Sequence, residues 1–372
     1  MNTQSDEIDA TFPGCAIATA PTPTKTVAVI IPCYNEESYV ARCLDSILSN
    51  DYDARYLDIV VVDGMSNDKT REIVTKYAQR YPHIRLLDNR KKNKPAALNL
   101  AINETDSEVV MRIDAHAIYE ESYISKLVSG LDNFDADNIG GIRETDLGRS
   151  TWQGAVGIAI SHPFAAGNAV YRTGVKSPSP RLVDTVFCGC YRREVFGEIG
   201  LFNPKLIRTQ DREFNLRLTY NGGKIVLDPT VRCTYFPRTQ LWDYTKWVLQ
   251  GAFWVYYADR FTKTRMRSSR NWIPVIFVLW NTVAFVMALL TASYSAIAFG
   301  PIALYWLTSA YFSGRASIEH RSLLLFPFLV LLFAITHYGY GLGACAGVIT
   351  ARYRGTANAD HNLPVFSRQQ AA

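Results

Sequence analysis

An aspartate and a histidine stand one residue apart where an apolar run of the chain ends, in the stretch VVMRIDAHA. A carboxylate oxygen and an imidazole nitrogen at positions i and i+2 could hold one divalent cation, and imidazole suits Mn²⁺ better than Mg²⁺. A simpler interpretation is that Asp114 forms a turn at the solvated end of a strand. Whether Asp114 and His116 are metal ligands therefore depends on what lies beside them.

Three further groups of polar residues follow apolar runs in the same way. They are Pro32 to Glu36, Asp63 to Asp68 and Asn89 to Pro95. Each group alone is typical of turns and helix starts. All four together favour a ligand site, because the carboxyl ends of parallel strands meet at one edge of a sheet. No GxGxxG or GxxxxGK[ST] loop follows any of these runs, so the usual dinucleotide and P-loop interpretations lose support.

The elements that must position these residues alternate between strands and helices. Continuous apolar runs predict strands in VAVIIP, broken by Pro32, and in LDIVVVDG, IRLLDN and SEVVMRIDA, with amphipathic helices between them. This alternation predicts an α/β, Rossmann-like domain with a mainly parallel sheet covered on both faces. Farther on, TVFCGCYRREVF predicts a strand and a helix, and GGKIVLDPTVRCTYF predicts two short strands.

The distribution of charge divides the chain. A net charge of +5 with 20% charged residues does not suggest a nucleic-acid partner. No Asp, Glu, Lys or Arg occurs from Ile273 to Gly314 or from Ser322 to Ala351. Because a membrane-spanning helix needs about 20 apolar residues, residues 272–351 predict a membrane domain of two to four spans, most simply three. The alternative is a buried helical hairpin of a soluble enzyme.

The segments around the predicted domains differ in composition. Residues 1–24 predict a disordered leader without the apolar core of a secretion signal, and residues 352–372 predict a polar tail. The aromatic and basic segment 241–271 predicts a helix at the membrane interface, or else an ordinary packed amphipathic helix. The seven cysteines form no CxxC pair, which favours reduced structural thiols.

The membrane orientation follows from the basic stretch RFTKTRMRSSR, which precedes the first uncharged run. Basic loops stay inside, so we expect a multi-pass protein of the cytoplasmic (inner) membrane with its N-terminal domain, residues 25–240, in the cytoplasm. Arg352 and Arg354 fit this orientation poorly if the last run crosses once. The glycines of that run could let it re-enter or cross twice, so its crossing stays open.

Four motifs resemble the successive motifs of family 2 glycosyltransferases, which have the GT-A fold. They are VAVIIPCYNEESYVARCLDSIL, VVDGMSNDKT, NKPAALNLAI and RIDAHA, within residues 25–236. Within the family, IDAHA, the tail ITHYGYGLGACAG and the C-terminal apolar segments are most similar to the succinoglycan glucosyltransferase type.

The resemblance implies a role for each polar group. Pro32, Tyr34, Asn35 and Glu36 would line the nucleotide pocket, Asp63 would accept a hydrogen bond from uracil or ribose, and Lys94 would lie near the diphosphate or the pocket rim. Asp114 and His116 occupy the family's Asp-x-Asp position, which binds Mn²⁺ or Mg²⁺ on the donor diphosphate. The imidazole departs from that pattern, and the alternative is that His116 only orients diphosphate or water.

The resemblance also implies a base. An inverting transfer needs a group that takes the acceptor's proton as its hydroxyl attacks, and TQDREFNLRL matches the family's motif at Asp211, with Gln210 where Glu is usual. Asp211 could instead be a simple helix N-terminal charge. Gly189 in CGC would permit close approach of the acceptor sugar.

The function implied is transfer of a single sugar, with glucose the first choice, from a UDP-sugar to a polyprenyl-diphosphate-linked saccharide in exopolysaccharide or cell-surface glycan synthesis. No QxxRW motif of processive synthases occurs in the chain. The alternatives are a polyprenyl-phosphate sugar synthase and a non-catalytic membrane scaffold.

Overall fold

The computed structural model describes residues 25–167, 169–175, 177–262, 266–267, 271–290 and 295–353. The predicted leader, 1–24, and nearly all of the predicted tail lie outside these residues. The chain forms two compact units. The first contains residues up to Glu144 together with Gly174–Phe236, and the second contains Thr145–Thr173 and the residues from Pro237 onward.

The first unit is built on a sheet whose first half is parallel. Strands β1 (Val27–Cys33), β2 (Leu57–Asp63), β3 (Ile84–Asp88) and β4 (Val109–Arg112) lie in the order β3-β2-β1-β4, all parallel. Helices α1 (Val40–Leu48), α2 (Thr70–Arg80) and α3 (Lys94–Asn103) connect them. Strands β1, β2 and β4 are buried along most of their length, as continuous apolar runs predict, whereas β3 at the edge is buried only at Ile84.

The second half of the sheet is antiparallel where its pairing is described. It contains β5 (Ala117–Tyr119), β6 (Asn138–Thr145), β7 (Arg181–Leu182), β8 (Phe187–Arg192) and β9 (Ile225–Tyr235), and the order continues β4-β8-β6-β9-β5, with β7 beside β9. Helices α4 (Tyr123–Asn133), α8 (Glu194–Ile199) and α9 (Gln210–Tyr220) belong to this half. The predicted α/β class is therefore confirmed, with a sheet that changes from parallel to antiparallel at β4.

Two strand predictions are wrong, both at prolines. Pro32 does not break β1. On the β4 side of β1 the pairing ends at Ile30, so the missing N–H of Pro32 leaves no strand hydrogen bond unmade there. The stretch around Asp228 and Pro229 is one strand, β9, and not two. Its first part pairs with β7 and its last part with β5, so the proline falls between two partners.

The second unit is helical. It contains α5 (Thr151–Ser161), α6 (Pro163–Ala166), α7 (Val170–Thr173), α10 (Leu241–Tyr257), α11 (Trp272–Leu290), α12 (Ser295–Glu319) and α13 (Leu325–Tyr353). Helix α13 packs against α5, α10, α11 and α12. Residues 291–294, between α11 and α12, lie outside the described residues.

Glycines let the neighbours of α13 approach its backbone closely. An added Cβ at Gly341 would lie 2.5 Å from the carbonyl oxygen of Pro274, and one at Gly343 or Gly347 would lie within 2.6 Å of a carbonyl oxygen of α10. These glycines therefore pack helices together, and α13 is continuous through them. Within the described residues one helix, Leu325–Ala351, has the length and apolar composition to cross a membrane, and Trp272–Met287 is a shorter apolar helix.

Candidate active site

The loops after β1 and β2 are joined by hydrogen bonds between them. The backbone N–H of Asn35 donates to Ser66 Oγ at 2.9 Å, and Asn67 N–H donates to Asn35 Oδ1 at 3.0 Å. Glu36 N–H donates to the hydroxyl of Thr70, the first residue of α2, at 2.7 Å. The loops after β1 and β2 are thus held together at the carboxyl edge of the sheet, where Tyr34 is 49% exposed. That Pro32, Tyr34, Asn35 and Glu36 line a nucleotide pocket stays a prediction.

Asp63 is buried at the end of β2, and protein donors occupy both of its oxygens. Oδ1 accepts from Ser66 Oγ at 2.5 Å, while Oδ2 accepts from Ser66 N–H at 3.0 Å and from Arg71 at 2.7 Å. Arg71 also pairs with Asp88 at the end of β3. The predicted contact of Asp63 with uracil or ribose stays a prediction, and in this arrangement Asp63 orders the loop 63–68 and Arg71.

Asp114 is also buried, but its two oxygens differ. Lys94 Nζ and Arg112 Nη2 both donate to Oδ1, at 2.5 and 2.7 Å. Within the described part of the chain no donor reaches Oδ2. Burial disfavours the ionised carboxyl, but the charges of Arg112 and Lys94 outweigh it and hold the pKa of Asp114 well below its ordinary value.

Lys94 reaches Asp114 because of how α3 begins. The side chain of Asn93 accepts a hydrogen bond from Ala96 N–H at 2.9 Å and so caps the helix. Pro95 in the first turn needs no helical hydrogen-bond partner for its nitrogen. This start places Lys94 as the first helical residue, with its ammonium group on Asp114.

Arg112 joins the two carboxylates predicted to carry the chemistry. It is the last residue of β4, with a side chain only 6% exposed, and its Nη1 donates to Asp211 Oδ2 at 2.8 Å while Nη2 holds Asp114. The structure thus brings Asp114 and Asp211 to one guanidinium across 97 residues of sequence. Sequence reasoning missed Arg112, although an arginine inside an apolar strand was the signal that could have found it.

Asp211 has one oxygen without a protein partner. Thr209, with φ 64°, turns the chain into α9, so that Asp211 stands in its first turn. Oδ2 contacts Arg112, whereas Oδ1 is buried and accepts no hydrogen bond from a described residue. A buried carboxylate oxygen in this state is suited to take a proton or a hydrogen bond from a ligand hydroxyl.

His116 lies beside this network. Its Nδ1 is 3.2 Å from Glu36 Oε1, and its ring packs edge-on against Tyr235 with centroids 5.0 Å apart. Its Nε2 makes no hydrogen bond to a described residue. Among the described residues no three His, Cys, Asp or Glu side chains form a metal site by themselves. One oxygen of Asp114 and one nitrogen of His116 would suit Mn²⁺ better than Mg²⁺ if a ligand such as a diphosphate supplied the other donors.

Other residues near the site are used by the protein. A Cβ at Gly189 would lie 2.5 Å from Asn138 Oδ1 and 2.7 Å from the Tyr191 hydroxyl, so the space beside this glycine is filled by protein and not open to a sugar. Burial raises the pKa of the Cys188 thiol to about 12, which keeps it protonated and unreactive. The described cysteines are all unpaired thiols, as predicted.

The sequence model described as glycosyl transferase family 2 matches residues 28–200. The chain belongs to glycosyl transferase family 2. The predicted family is thus confirmed, and the matched residues include Asp63, Lys94, Asp114 and His116 but end before Asp211. The base position of this family 2 enzyme therefore rests on the geometry around Arg112 and on the motif resemblance.

Individual relatives of this family 2 glycosyltransferase point to glycan assembly. It is 30% identical over 224 residues to the succinoglycan biosynthesis protein ExoA of Rhizobium meliloti, covering 58% of this chain and 66% of that protein. It is 25% identical over 230 residues to a dolichyl N-acetyl-alpha-D-glucosaminyl phosphate 3-beta-D-2,3-diacetamido-2,3-dideoxy-beta-D-glucuronosyltransferase of Methanococcus voltae, covering 59% of this chain and 70% of that protein.

A solved structure shares the fold of this family 2 enzyme. The mannosyltransferase PcManGT from Pyrobaculum calidifontis, in complex with GDP-Man and Mn²⁺, aligns with a TM-score of 0.55 at 18% identity, covering 91% of this chain and 90% of that one. The likeness confirms the GT-A fold.

Proposed function

We propose that this chain is a divalent-metal-dependent, inverting glycosyltransferase that transfers one sugar from a UDP-sugar, with UDP-glucose the first choice, to a polyprenyl-diphosphate-linked saccharide. The observation that carries the proposal is the bridge from Asp114 through Arg112 to Asp211. It joins a carboxylate with one open oxygen, suited to the donor side, to a carboxylate with an unpartnered oxygen, suited to the acceptor side.

Asp211 would act as the general base. As the acceptor hydroxyl attacks the anomeric carbon, its proton passes to Oδ1, the buried oxygen without a described partner. Arg112 holds Oδ2 and keeps the carboxylate in one orientation. In the same step the bond from the anomeric carbon to the diphosphate breaks, which inverts the configuration in a single displacement.

The leaving diphosphate gains negative charge as that bond breaks. Lys94 is a cation in the first turn of α3, 30% exposed and next to Asp114, and is suited to move toward this charge. Asp114 and His116 would hold Mn²⁺ or Mg²⁺, which supplies Lewis-acid stabilisation of the diphosphate when bound. The nucleotide would lie over the loops that carry Tyr34, Asn35 and Asp63.

The choice of substrates draws on the relatives. The Rhizobium meliloti protein is named for succinoglycan biosynthesis, and the Methanococcus voltae protein for transfer to a dolichyl-linked amino sugar. Both names favour a lipid-linked or polysaccharide acceptor for this chain. PcManGT was solved with a GDP-sugar and Mn²⁺, so GDP-mannose belongs among the donors to be tested.

The helical unit supports a membrane location with several crossings. Along α11 the exposed side chains are large and apolar, with Ile273, Ile276 and Val283 between 59 and 65% exposed, while Val275 and Val278 on the other face are buried. An apolar face exposed at helical spacing is suited to lipid. We propose that α11, α12 and α13 all cross the inner membrane, with the first unit in the cytoplasm.

The direct test is transfer by the full-length protein in detergent. Labelled UDP-glucose, other UDP-sugars and GDP-mannose are offered with MnCl₂ to polyprenyl diphosphate saccharides, or to polyprenyl phosphate alone. We expect one sugar on the lipid-linked saccharide. Transfer to polyprenyl phosphate alone would make the chain a polyprenyl-phosphate sugar synthase, and absence of both transfer and nucleotide binding would support a non-catalytic scaffold.

The base assignment has its own test in Asp211→Asn. We expect kcat to fall by about 10²- to 10⁴-fold, the usual contribution of a general base, while UDP binding measured by calorimetry stays near the native value. The control is Glu72→Gln, which removes an acidic residue from the first turn of α2 in the same way. Equal losses in both variants would mean that Asp211 is only a helix N-terminal charge.

A further inference from the structure

His116 is held by one backbone contact and two contacts to its imidazole ring. Phe236 N–H donates to the His116 carbonyl oxygen at 3.0 Å, which fixes the backbone. The ring packs against Tyr235 at an interplanar angle of 62°. Its Nδ1 lies 3.2 Å from Glu36 Oε1, and these contacts leave Nε2 as the one ring nitrogen without a described partner.

Glu36 is itself held in place. Its N–H donates to the buried hydroxyl of Thr70, and its carbonyl oxygen accepts from Tyr39 and Val40, both at 2.9 Å, at the start of α1. The Glu36 side chain is only 10% exposed. Its carboxylate therefore approaches His116 from a fixed point in the fold, between the loop after β1 and the start of α2.

The contact selects one form of the ring. A negative charge beside Nδ1 stabilises a proton there, so the nearness of the Glu36 carboxylate favours the tautomer that carries its proton on Nδ1 and its lone pair on Nε2. Histidines that bind metals commonly donate their other N–H to a carboxylate, which fixes the ring and increases its basicity.

We propose that Glu36 is a positioning residue that orients His116 to bind the donor-site metal through Nε2. The inference rests on the proposed function, because it requires a divalent cation at Asp114. A carboxylate at position 116 would face Glu36 as a like charge, whereas an imidazole N–H would not.

The test is the affinity for Mn²⁺, measured on the full-length protein in detergent. The electron paramagnetic resonance signal of free Mn²⁺ is followed at saturating UDP, with GDP in parallel. Glu36→Gln should weaken Mn²⁺ binding by about 10- to 100-fold, the usual cost of losing such a partner. Glu36→Asp, which keeps the charge but shortens the reach, should weaken it similarly. Glu37→Gln, in which the neighbouring glutamate contacts Lys69 N–H and not His116, should leave it unchanged.

A second pair of variants tests whether Glu36 acts by orienting His116. In His116→Asp there is no ring for Glu36 to orient, so adding Glu36→Gln should change Mn²⁺ affinity much less than it does in the native protein. UDP binding without metal is measured in parallel, because the family resemblance also places Glu36 in the nucleotide pocket. A loss of metal-free UDP binding as large as the loss of Mn²⁺ affinity would make Glu36 a nucleotide contact and overturn the inference, and native Mn²⁺ affinity in Glu36→Gln would overturn it while leaving the proposed function intact. Absence of any metal-dependent nucleotide binding in the native protein would instead contradict the proposed metal.

Discussion

Two buried aspartates follow β2 and β4, the strands on either side of β1, and they differ in their hydrogen-bond partners. Asp63, after β2, has both oxygens occupied by Ser66 and Arg71. Asp114, just beyond β4, has two cations on one oxygen and no described donor on the other. Both look alike in the sequence, since each is an acidic residue at the end of an apolar run.

This difference in hydrogen bonding suggests that Asp63 orders the site, whereas Asp114 keeps an oxygen available to a ligand. Satisfying every lone pair of a buried carboxylate stabilises a single local structure and leaves little to offer a ligand. Concentrating the cations on one oxygen keeps the group ionised while the second oxygen stays available. We therefore assign Asp63 chiefly to the order of its loop and Asp114 to the chemistry, and the next variants test that distinction.

The largest effect is expected from Asp114→Asn. The variant removes the charge that would hold the metal, so Mn²⁺-dependent UDP binding should be lost and kcat/KM should fall by about 10²- to 10³-fold, as for loss of a group that stabilises transition-state charge. Transfer rates and calorimetric binding with and without MnCl₂ measure this. If UDP binding keeps its native dependence on Mn²⁺, the metal is held elsewhere and the distinction from Asp63 fails.

An intermediate effect is expected from Arg112→Lys. Lysine keeps the charge but loses the planar fork that reaches Asp114 and Asp211 together. One lost charge-assisted hydrogen bond is worth about 1.5–3 kcal/mol, so kcat should fall on the order of 10- to 100-fold. Arg85→Lys is the matched control, because Arg85 also forms a two-point pair, with Asp58, away from the site. Equal rates for both variants would remove Arg112 from the mechanism.

Much of the first unit could be predicted from the sequence, because local patterns determine it. Uninterrupted apolar strands and intervening helices gave the parallel half of the sheet and the edge at which the polar groups meet. The antiparallel half was harder, since the continuity of β9 through Pro229 depends on which neighbours pair on either side of the proline. Strand partners distant in sequence leave no local pattern.

The same limit applies to the candidate site. The types and positions of Asp114 and Asp211 pointed to the chemistry, but the guanidinium between them belongs to Arg112, 99 positions before Asp211. The pairing of Glu36 with His116 is likewise non-local. Glycines in α13 suggested a looser helix, yet they serve close packing by α10 and α11, which becomes visible only once the neighbouring backbones are in place.

The smallest effect on transfer is expected from Asp63→Asn, and it should appear mainly as lost stability. An amide at this position presents a donor to Ser66 N–H or to Arg71, so charge-assisted hydrogen bonds worth about 1.5–3 kcal/mol are lost. This loss corresponds to a melting temperature lower by roughly 4–10 °C.

Asp88→Asn is the control, because Asp88 pairs with the same Arg71 but is 44% exposed, and exposed pairs contribute little. Thermal melting in detergent and UDP binding below the transition measure both quantities. If Asp63→Asn abolished UDP binding with an unchanged melting temperature, Asp63 would contact the nucleotide directly, and both aspartates would then be ligand-binding groups.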